Sequence, residues 1–180
     1  FPGAPVYLLG HSMGSMAARV YTKYDDSSID GLILTGSPSR EPLLWFAKAL
    51  SGMLCALGLS RMRMAFSQSL TSFKYNLRYL SEGPQAWTCS DSRSRDAFLS
   101  NPRCNFKITA NMSYNILSMM SETYDEGHWA ISKPSMPVVF ISGADDPLMI
   151  SEARFHRSAQ NICDRGYTNV TSVIYPAMRH

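Results

Sequence analysis

The stretch Leu8-Leu9-Gly10-His11-Ser12-Met13-Gly14-Ser15 decides the fold of this chain. An apolar run over residues 6–9 leads into the pattern Gly-x-Ser-x-Gly, and an alanine-rich segment with helical character follows to about residue 24. This order predicts a strand, a tight turn and a helix, with Ser12 at the apex of the turn. A serine on such a strained turn projects its hydroxyl above the edge of the sheet.

The residues around Ser12 have distinct expected roles. We expect a side chain at Gly10 or Gly14 to collide with the neighbouring strand or helix. The backbone N–H of Met13 lies at a helix N-terminus, where it can donate to a developing oxyanion. The five-residue pattern is weak evidence by itself, because a Ser/Gly turn can also serve only to link a strand to a helix. Partner residues elsewhere in the chain must therefore decide between the two interpretations.

The bulk properties describe one globular domain. The 180 residues are 45% apolar and 17% charged, which is ordinary for a folded protein with a real core. The net charge of +3 is spread along the chain without a basic block, so nucleic-acid binding has no support. The cysteines are scattered without a C-x-x-C pair, which disfavours a metal site or a dense disulfide framework. Free thiols in a reducing cytoplasm are the preferred interpretation, with a Cys89–Cys104 pair as the alternative.

Two β-α-β units frame the chain. Residues 5–9 and 29–37 are predicted buried strands on either side of the first helix, and their short connection makes them parallel. Residues 137–143 and 170–175 repeat the pattern around a helix over 151–165, which Ser151 caps and Gly166 ends. We therefore expect an α/β fold with a parallel sheet.

Residues 38–135 differ in texture, because apolar residues recur at helical spacing and strand-like runs are absent. We expect an inserted helical cap over 38–135, on a core formed by residues 1–37 and 136–180. The first helical segment, 43–59, is apolar nearly all round. It is too short and too interrupted to span a membrane, so a buried or interface-facing helix is expected. Further helices are predicted over residues 64–79, 93–99, 109–120 and 124–131.

A nucleophilic serine needs a base, and the base needs an acid to orient it. The chain has four histidines. We expect His11 to point away from Ser12 and to pack, and His128 and His156 to be surface or packing residues. His180 follows the last strand at its carboxyl end, where parallel sheets place their sites, and is therefore the best-placed base.

The acid is expected after the strand 138–142, where Asp145 and Asp146 follow Gly143-Ala144. Pro147 holds the residue before it in an extended conformation, which favours Asp146. The alternative is a simple Asx turn before the next helix. Serine, aspartate and histidine, each after its own strand, follow the chain order of an α/β-hydrolase triad.

The chain resembles α/β-hydrolases of the monoacylglycerol lipase and lysophospholipase type, the serine-aminopeptidase-S33-like group. The residues that carry the resemblance are 10–15, 30–36, 141–148 and 175–180, with cap residues 87–88, 93–99 and 101–109. The resemblance implies Ser12 as nucleophile, Asp146 as orienting acid, His180 as general base and Met13 N–H as one oxyanion donor, without metal or cofactor. The family's second donor precedes this chain and its last helix follows the histidine. Since the chain also begins with Phe rather than Met, we expect a fragment.

The implied reaction is hydrolysis of a carboxylic ester, and a mono-acyl lipid such as a monoacylglycerol or lysophospholipid is the expected substrate. The apolar segment 43–59, with Trp45, Phe46 and Met53, suits an acyl-chain channel or transient contact with a membrane surface; packing of cap on core is the alternative. A proline-releasing aminopeptidase of the same fold would need a cap carboxylate. The available carboxylates are Glu82, Asp91, Asp96, Glu122, Asp125 and Glu126. A non-catalytic binding protein is the third possibility.

Overall fold

A four-stranded parallel sheet forms the centre of the molecule. The computed structural model describes residues 3–104, 106–127 and 129–180. The strands are β1 (Tyr7–His11), β2 (Gly31–Thr35), β3 (Val138–Gly143) and β4 (Val170–Tyr175), and they lie side by side in chain order. Every neighbouring pair is parallel, which confirms the α/β class and the parallel sheet. All carboxyl ends therefore meet at one edge, where the loops after the strands come together.

The core lies on one face of this sheet. Leu32 pairs in register with Val138, and Leu34 with Phe140, so these side chains share a face. None of the four is more than 1% exposed. Two helices, α1 (Met13–Tyr24) and α6 (Glu152–Asp164), cover this face and contribute to the same cluster. As expected, Ser151 caps α6 by accepting a hydrogen bond from Arg154 N, and Gly166 takes a φ of +119° after it.

The segment between β2 and β3, which we call the helical insertion (residues 38–135), contains helices without a regular strand in its described part. These are α2 (Leu44–Ala56), α3 (Ala65–Asn76), a 3-10 helix (Leu77–Glu82), α4 (Ser92–Ser100) and α5 (Ala110–Thr123). A second apolar cluster joins the insertion to α1, with Met16 against Leu44, Met120 and Tyr124. Lys23, at the end of α1 and 2% exposed, donates to Glu122 at 2.6 Å and Asp125 at 2.7 Å. The insertion is thus fastened to the helix that follows Ser12.

The predicted helix over residues 124–131 is wrong. Residues 124–127 and 129–131 are not helical, while His128 lies outside the described residues. The backbone N–H groups here find partners on the end of α1 and in the adjoining turn. Ala130 N donates to Lys23 O, and Gly127 N donates to the Asp125 carboxylate. Docking against α1 therefore replaces the hydrogen bonds that a helix would have made.

Apolar side chains remain exposed at two places. The sheet edge at β1 exposes 52% of Val6 and 61% of Leu9. In α2 and the residue before it, Trp45 is 71% exposed and Leu43 is 66% exposed, so the outer side of this helix is not buried. Among the described residues, none of the helices combines the length and the apolar character needed to cross a bilayer.

Candidate active site

Ser12 lies on a strained turn between β1 and α1. Its φ of 54° and ψ of −123° are unfavourable for a residue with a side chain, and such strain concentrates at functional sites. Ser12 N donates to Thr35 O at 2.9 Å, and the Ser15 hydroxyl donates to Ser12 O at 2.5 Å. These bonds attach the turn to β2 and to the first turn of α1.

The two glycines of the turn differ in whether a side chain would fit at their position. A Cβ at Gly10 would lie 2.4 Å from the carbonyl oxygen of Gly14, so only glycine fits there without a backbone shift. A Cβ at Gly14 would meet nothing within 4 Å. The expected collision at Gly14 is therefore wrong, because this residue faces a surface groove that it shares with Leu8, Leu9 and Ala17.

His180 connects Ser12 to Asp146. Its Nε2 lies 2.7 Å from Ser12 Oγ, and its Nδ1 lies 2.8 Å from Asp146 Oδ2. The acceptor-only carboxylate at Nδ1 favours the tautomer with its proton on Nδ1, so Nε2 is free to accept the serine proton. The side chains of His180 and Asp146 are only 8% and 1% exposed. The structure thus brings together the three residues that the chain order singled out.

The loops that carry Asp146 and His180 are joined to each other. Asp145 N donates to Met178 O at 3.0 Å, and a Cβ at Gly143 would lie 2.1 Å from that same carbonyl oxygen. Glycine at 143 is what allows the loop after β4 to cross the end of β3. Asp146 Oδ1 accepts from Leu148 N at 2.9 Å, which leaves Oδ2 for the imidazole. The alternative aspartate, Asp145, has a side chain that is 44% exposed.

Gly36 is a site residue that the sequence did not reveal. It follows β2 with a φ of +52°, and a Cβ there would lie 2.9 Å from Cε1 and Nδ1 of His180. The imidazole therefore packs directly on the Gly36 backbone. The sequence feature that could have identified it is a glycine directly after a buried strand, at the sheet edge where the site forms.

His11 lies beside His180 rather than in the core. Its Nδ1 is 3.0 Å from Thr35 Oγ1, and its ring centroid is 4.8 Å from that of His180. Burial lowers the pKa of His11, and the neighbouring His180 lowers it further. A neutral His11 avoids placing a second positive charge against His180 when that imidazole is protonated. His156 lies in α6 and contacts Ser172, away from these residues.

Met13 is the first residue of α1. The N–H groups in the first turn of a helix have no acceptor within the helix. The Met13 N–H is therefore available next to Ser12, at the positive end of the helix dipole.

A cavity of about 790 Å³ opens onto Ser12 and His180. The insertion contributes most of its wall, with apolar side chains including Ala47, Leu50, Phe98, Ile108 and Leu117. Trp87 stacks against His180 with ring centroids 5.4 Å apart, and Trp87 Nε1 donates to Gln85 Oε1 at 2.7 Å. The cavity therefore extends from the hydroxyl of Ser12 along a mainly apolar surface.

The charges around this cavity are few. Its lining residues, within the described part of the chain, include no aspartate or glutamate and one arginine, Arg95. The Arg95 guanidinium donates to the carbonyl oxygens of Cys89, Ser90 and Glu82. In residues 3–104, 106–127 and 129–180, no cluster of three His, Cys, Asp or Glu residues is arranged to hold a metal ion.

A serine on a strained turn after one parallel strand, a histidine in contact with it and an aspartate in contact with that histidine, both from loops after later strands, define an α/β-hydrolase. The sequence model of the family described as serine aminopeptidase, S33, matches residues 1–180. The chain therefore belongs to this family.

Solved structures with the same fold include esterases and lipases. A thermostable carboxyl esterase from Bacillus coagulans is 25% identical with a TM-score of 0.83, and the match covers 99% of this chain and 58% of that one. A protein described as a lipase in its open form is 19% identical with a TM-score of 0.78, and the match covers 100% of this chain and 59% of that one. A soluble variant of monoglyceride lipase from Saccharomyces cerevisiae is 16% identical with a TM-score of 0.66, and the match covers 99% of this chain and 55% of that one.

This chain thus spans about 58% of the length of the esterase that it matches. Among curated proteins, no significant match is found.

Proposed function

We propose that this chain carries the catalytic residues of a serine ester hydrolase, with Ser12 as nucleophile, His180 as general base and Asp146 as the orienting acid. The observation that carries the proposal is the position of the His180 ring. One nitrogen lies 2.7 Å from the serine hydroxyl and the other 2.8 Å from a buried carboxylate. A base held at both nitrogens has a defined tautomer and a defined direction, which is what activation of a serine requires.

The proposed reaction proceeds through an acyl-enzyme. Ser12 Oγ attacks the ester carbonyl while His180 Nε2 takes the hydroxyl proton, and Asp146 stabilises the imidazolium that forms. Met13 N–H donates to the oxyanion. His180 then gives the proton to the leaving alcohol, and a water molecule activated by the same nitrogen releases the acid and restores the serine.

The proposed substrate is a mono-acyl lipid ester. A cavity of about 790 Å³ with an apolar wall has the size and character for an acyl chain. Of the two lipid classes expected, the charges favour a monoacylglycerol over a lysophospholipid. Arg95 is engaged with three carbonyl groups, so the described lining residues offer no free arginine or lysine to a phosphate head group.

Measurement of kcat/KM on a monoacylglycerol and on a lysophosphatidylcholine of the same acyl chain tests this choice. The monoacylglycerol is expected to be the better substrate, and a preference for the phospholipid would contradict the argument from Arg95.

The aminopeptidase alternative fits the cavity less well. Capture of a substrate amine needs a carboxylate near the serine, and none of the carboxylates in the insertion lines the cavity. Glu82 is paired with Arg179, while Glu122 and Asp125 are paired with Lys23. A non-catalytic binding protein would not need three aligned residues of this type.

We also propose transient contact with a lipid surface through the exposed outer side of α2, where Trp45 and Phe46 are 71% and 54% exposed. Amphipathic surfaces with exposed tryptophan and phenylalanine partition into the headgroup region of bilayers. Co-sedimentation with phosphatidylcholine vesicles, comparing wild type with Trp45→Gln, tests this contact.

A cytoplasmic location is proposed because all four cysteines are free thiols.

The decisive experiment for the ester hydrolase is fluorophosphonate labelling of the complete gene product that contains this chain. Intact mass should show one adduct on wild type and none on Ser12→Ala. His180→Ala should lower the hydrolysis rate about 10⁴- to 10⁶-fold. If the folded wild type is not labelled, this result would favour the non-catalytic binding protein over the ester hydrolase.

A further inference from the structure

We propose that Arg179 is a positioning residue, which holds the base His180 in place through a contact with the helical insertion. The proposal rests on the proposed function, in which His180 is the base. We call the set Tyr79, Glu82 and Arg179 the clamp. Its first two members lie in the 3-10 helix Leu77–Glu82 of the insertion, and the third directly precedes His180.

Several hydrogen bonds and one stacking contact hold the Arg179 guanidinium in place. Its two terminal nitrogens donate to the two carboxylate oxygens of Glu82, at 3.0 Å and 2.7 Å. Nη1 also donates to Ala86 O at 2.8 Å, and Cζ lies 3.9 Å from the centroid of the Tyr79 ring. The side chain is 12% exposed. A two-pronged ion pair combined with stacking fixes both the position and the plane of a guanidinium.

The clamp also reaches the acid. Tyr79, which is 8% exposed, donates from its hydroxyl to Asp145 O at 3.2 Å. Asp145 directly precedes Asp146. One aromatic side chain of the insertion therefore contacts the residue before the acid and the residue before the base. Because these two loops carry the two groups that must hydrogen-bond, a shared anchor sets their separation.

The clamp is connected to the cavity wall as well. Arg95, which lines the cavity, donates to the carbonyl oxygen of Glu82 at 3.2 Å and lies 3.8 Å from its carboxylate. Hydrogen bonding to Arg179 lowers the pKa of Glu82, so the carboxylate stays charged at neutral pH. The insertion thus holds the wall of the cavity and the backbone of the base in one hydrogen-bonded set.

This arrangement matters because His180 stands at the end of a short loop. The loop leaves β4 at Tyr175, and Ala177 within it adopts a φ of +57°. A displacement of about 1 Å at a catalytic group costs about 100-fold in rate. Release of Arg179 leaves the loop with fewer contacts to define the position of the imidazole, while the apolar side chains of the cavity wall, such as Leu50 and Leu117, are not among the partners of Arg179.

The test separates binding from chemistry by the kinetics of fluorophosphonate inactivation, which give a binding constant KI and a chemical rate kinact. Arg179→Met keeps the apolar stem but removes the guanidinium, and should lower kinact about 10- to 100-fold with KI unchanged. Glu82→Gln should lower kinact in the same direction. Since both act through one ion pair, the double variant should be no slower than Arg179→Met alone.

Arg78→Met is the matched control. Arg78 Nη1 lies 4.0 Å from the Asp145 carboxylate and its side chain is 75% exposed, so this change removes a nearby cation without touching the clamp. Its kinact should equal that of wild type. A loss as large as that of Arg179→Met would show a general charge effect and overturn the proposal.

The outcomes separate the clamp from the function on which it rests. A wild type that labels normally, with Arg179→Met equally fast, refutes the clamp and leaves the ester hydrolase standing. A wild type that does not label refutes the function first. If Arg179→Met does not fold, Tyr79→Phe decides, because it removes only the bond to Asp145 O; unchanged kinact in both Tyr79→Phe and Glu82→Gln would also refute the clamp.

Discussion

Substitution of Gly36 by alanine should slow the chemistry without abolishing the fold. The new Cβ would lie 2.9 Å from two atoms of the His180 ring, whereas ordinary van der Waals contact begins at 3.4 Å. The ring must therefore retreat by about 0.5 Å, which we expect to cost about 10-fold in acylation rate, since 1 Å costs about 100-fold. The φ of +52° adds a backbone cost of roughly 1 kcal/mol for a residue with a side chain.

Gly58→Ala separates these two effects. Gly58 has a φ of +80°, and a Cβ there would meet nothing within 4 Å. This variant should lose a similar roughly 1 kcal/mol of stability while its acylation rate stays at the wild-type value. The assays are stopped-flow acylation with a p-nitrophenyl ester and urea unfolding followed by tryptophan fluorescence.

The reasoning would be refuted by Gly36→Ala acylating at the wild-type rate while losing no more stability than Gly58→Ala. Equal slowing in both variants would also contradict it, because of these two glycines only Gly36 contacts His180.

Three further predictions concern the turn, the junction with α1 and acid stability. Gly10→Ala should abolish soluble expression or ester hydrolysis, whereas Gly14→Ala should keep both, because only the first Cβ meets backbone. Lys23→Met should lower the free energy of unfolding by roughly 2 kcal/mol in urea, through loss of two charged hydrogen bonds. Burial alone would raise the pKa of Asp26, but hydrogen bonds from Ser132, Lys133 and Tyr167 outweigh burial and lower this pKa below 3.8. The charged Asp26 side chain therefore stabilises the fold, and this contribution is lost as the pH falls through the lowered pKa. The difference in urea midpoint between wild type and Asp26→Asn should therefore narrow below pH 3.8.

Local pattern was sufficient for most of the regular elements. The strand β4 was predicted over its observed range, and the helix after Ser12 ends at Tyr24 as expected. These elements have their hydrogen-bond partners or apolar periodicity close in sequence. The helix prediction over 124–131 failed because Ala130 N donates to Lys23 O, more than a hundred residues away, and Gly127 N donates to the side chain of Asp125. A local pattern does not reveal the first of these partners.

The sequence by itself determined the class of fold, the strained turn at Ser12 and the candidates Asp146 and His180, because each follows its own strand and parallel strands end at one sheet edge. Only the tertiary structure decided how closely those groups meet and what holds them there. The contacts of Gly36 with His180, and of Glu82 with Arg179, join residues that are about a hundred positions or more apart. The first contact depends on the order in which the strands assemble into the sheet, and the second on how the insertion folds back onto it. Both therefore become visible only when the whole chain is packed.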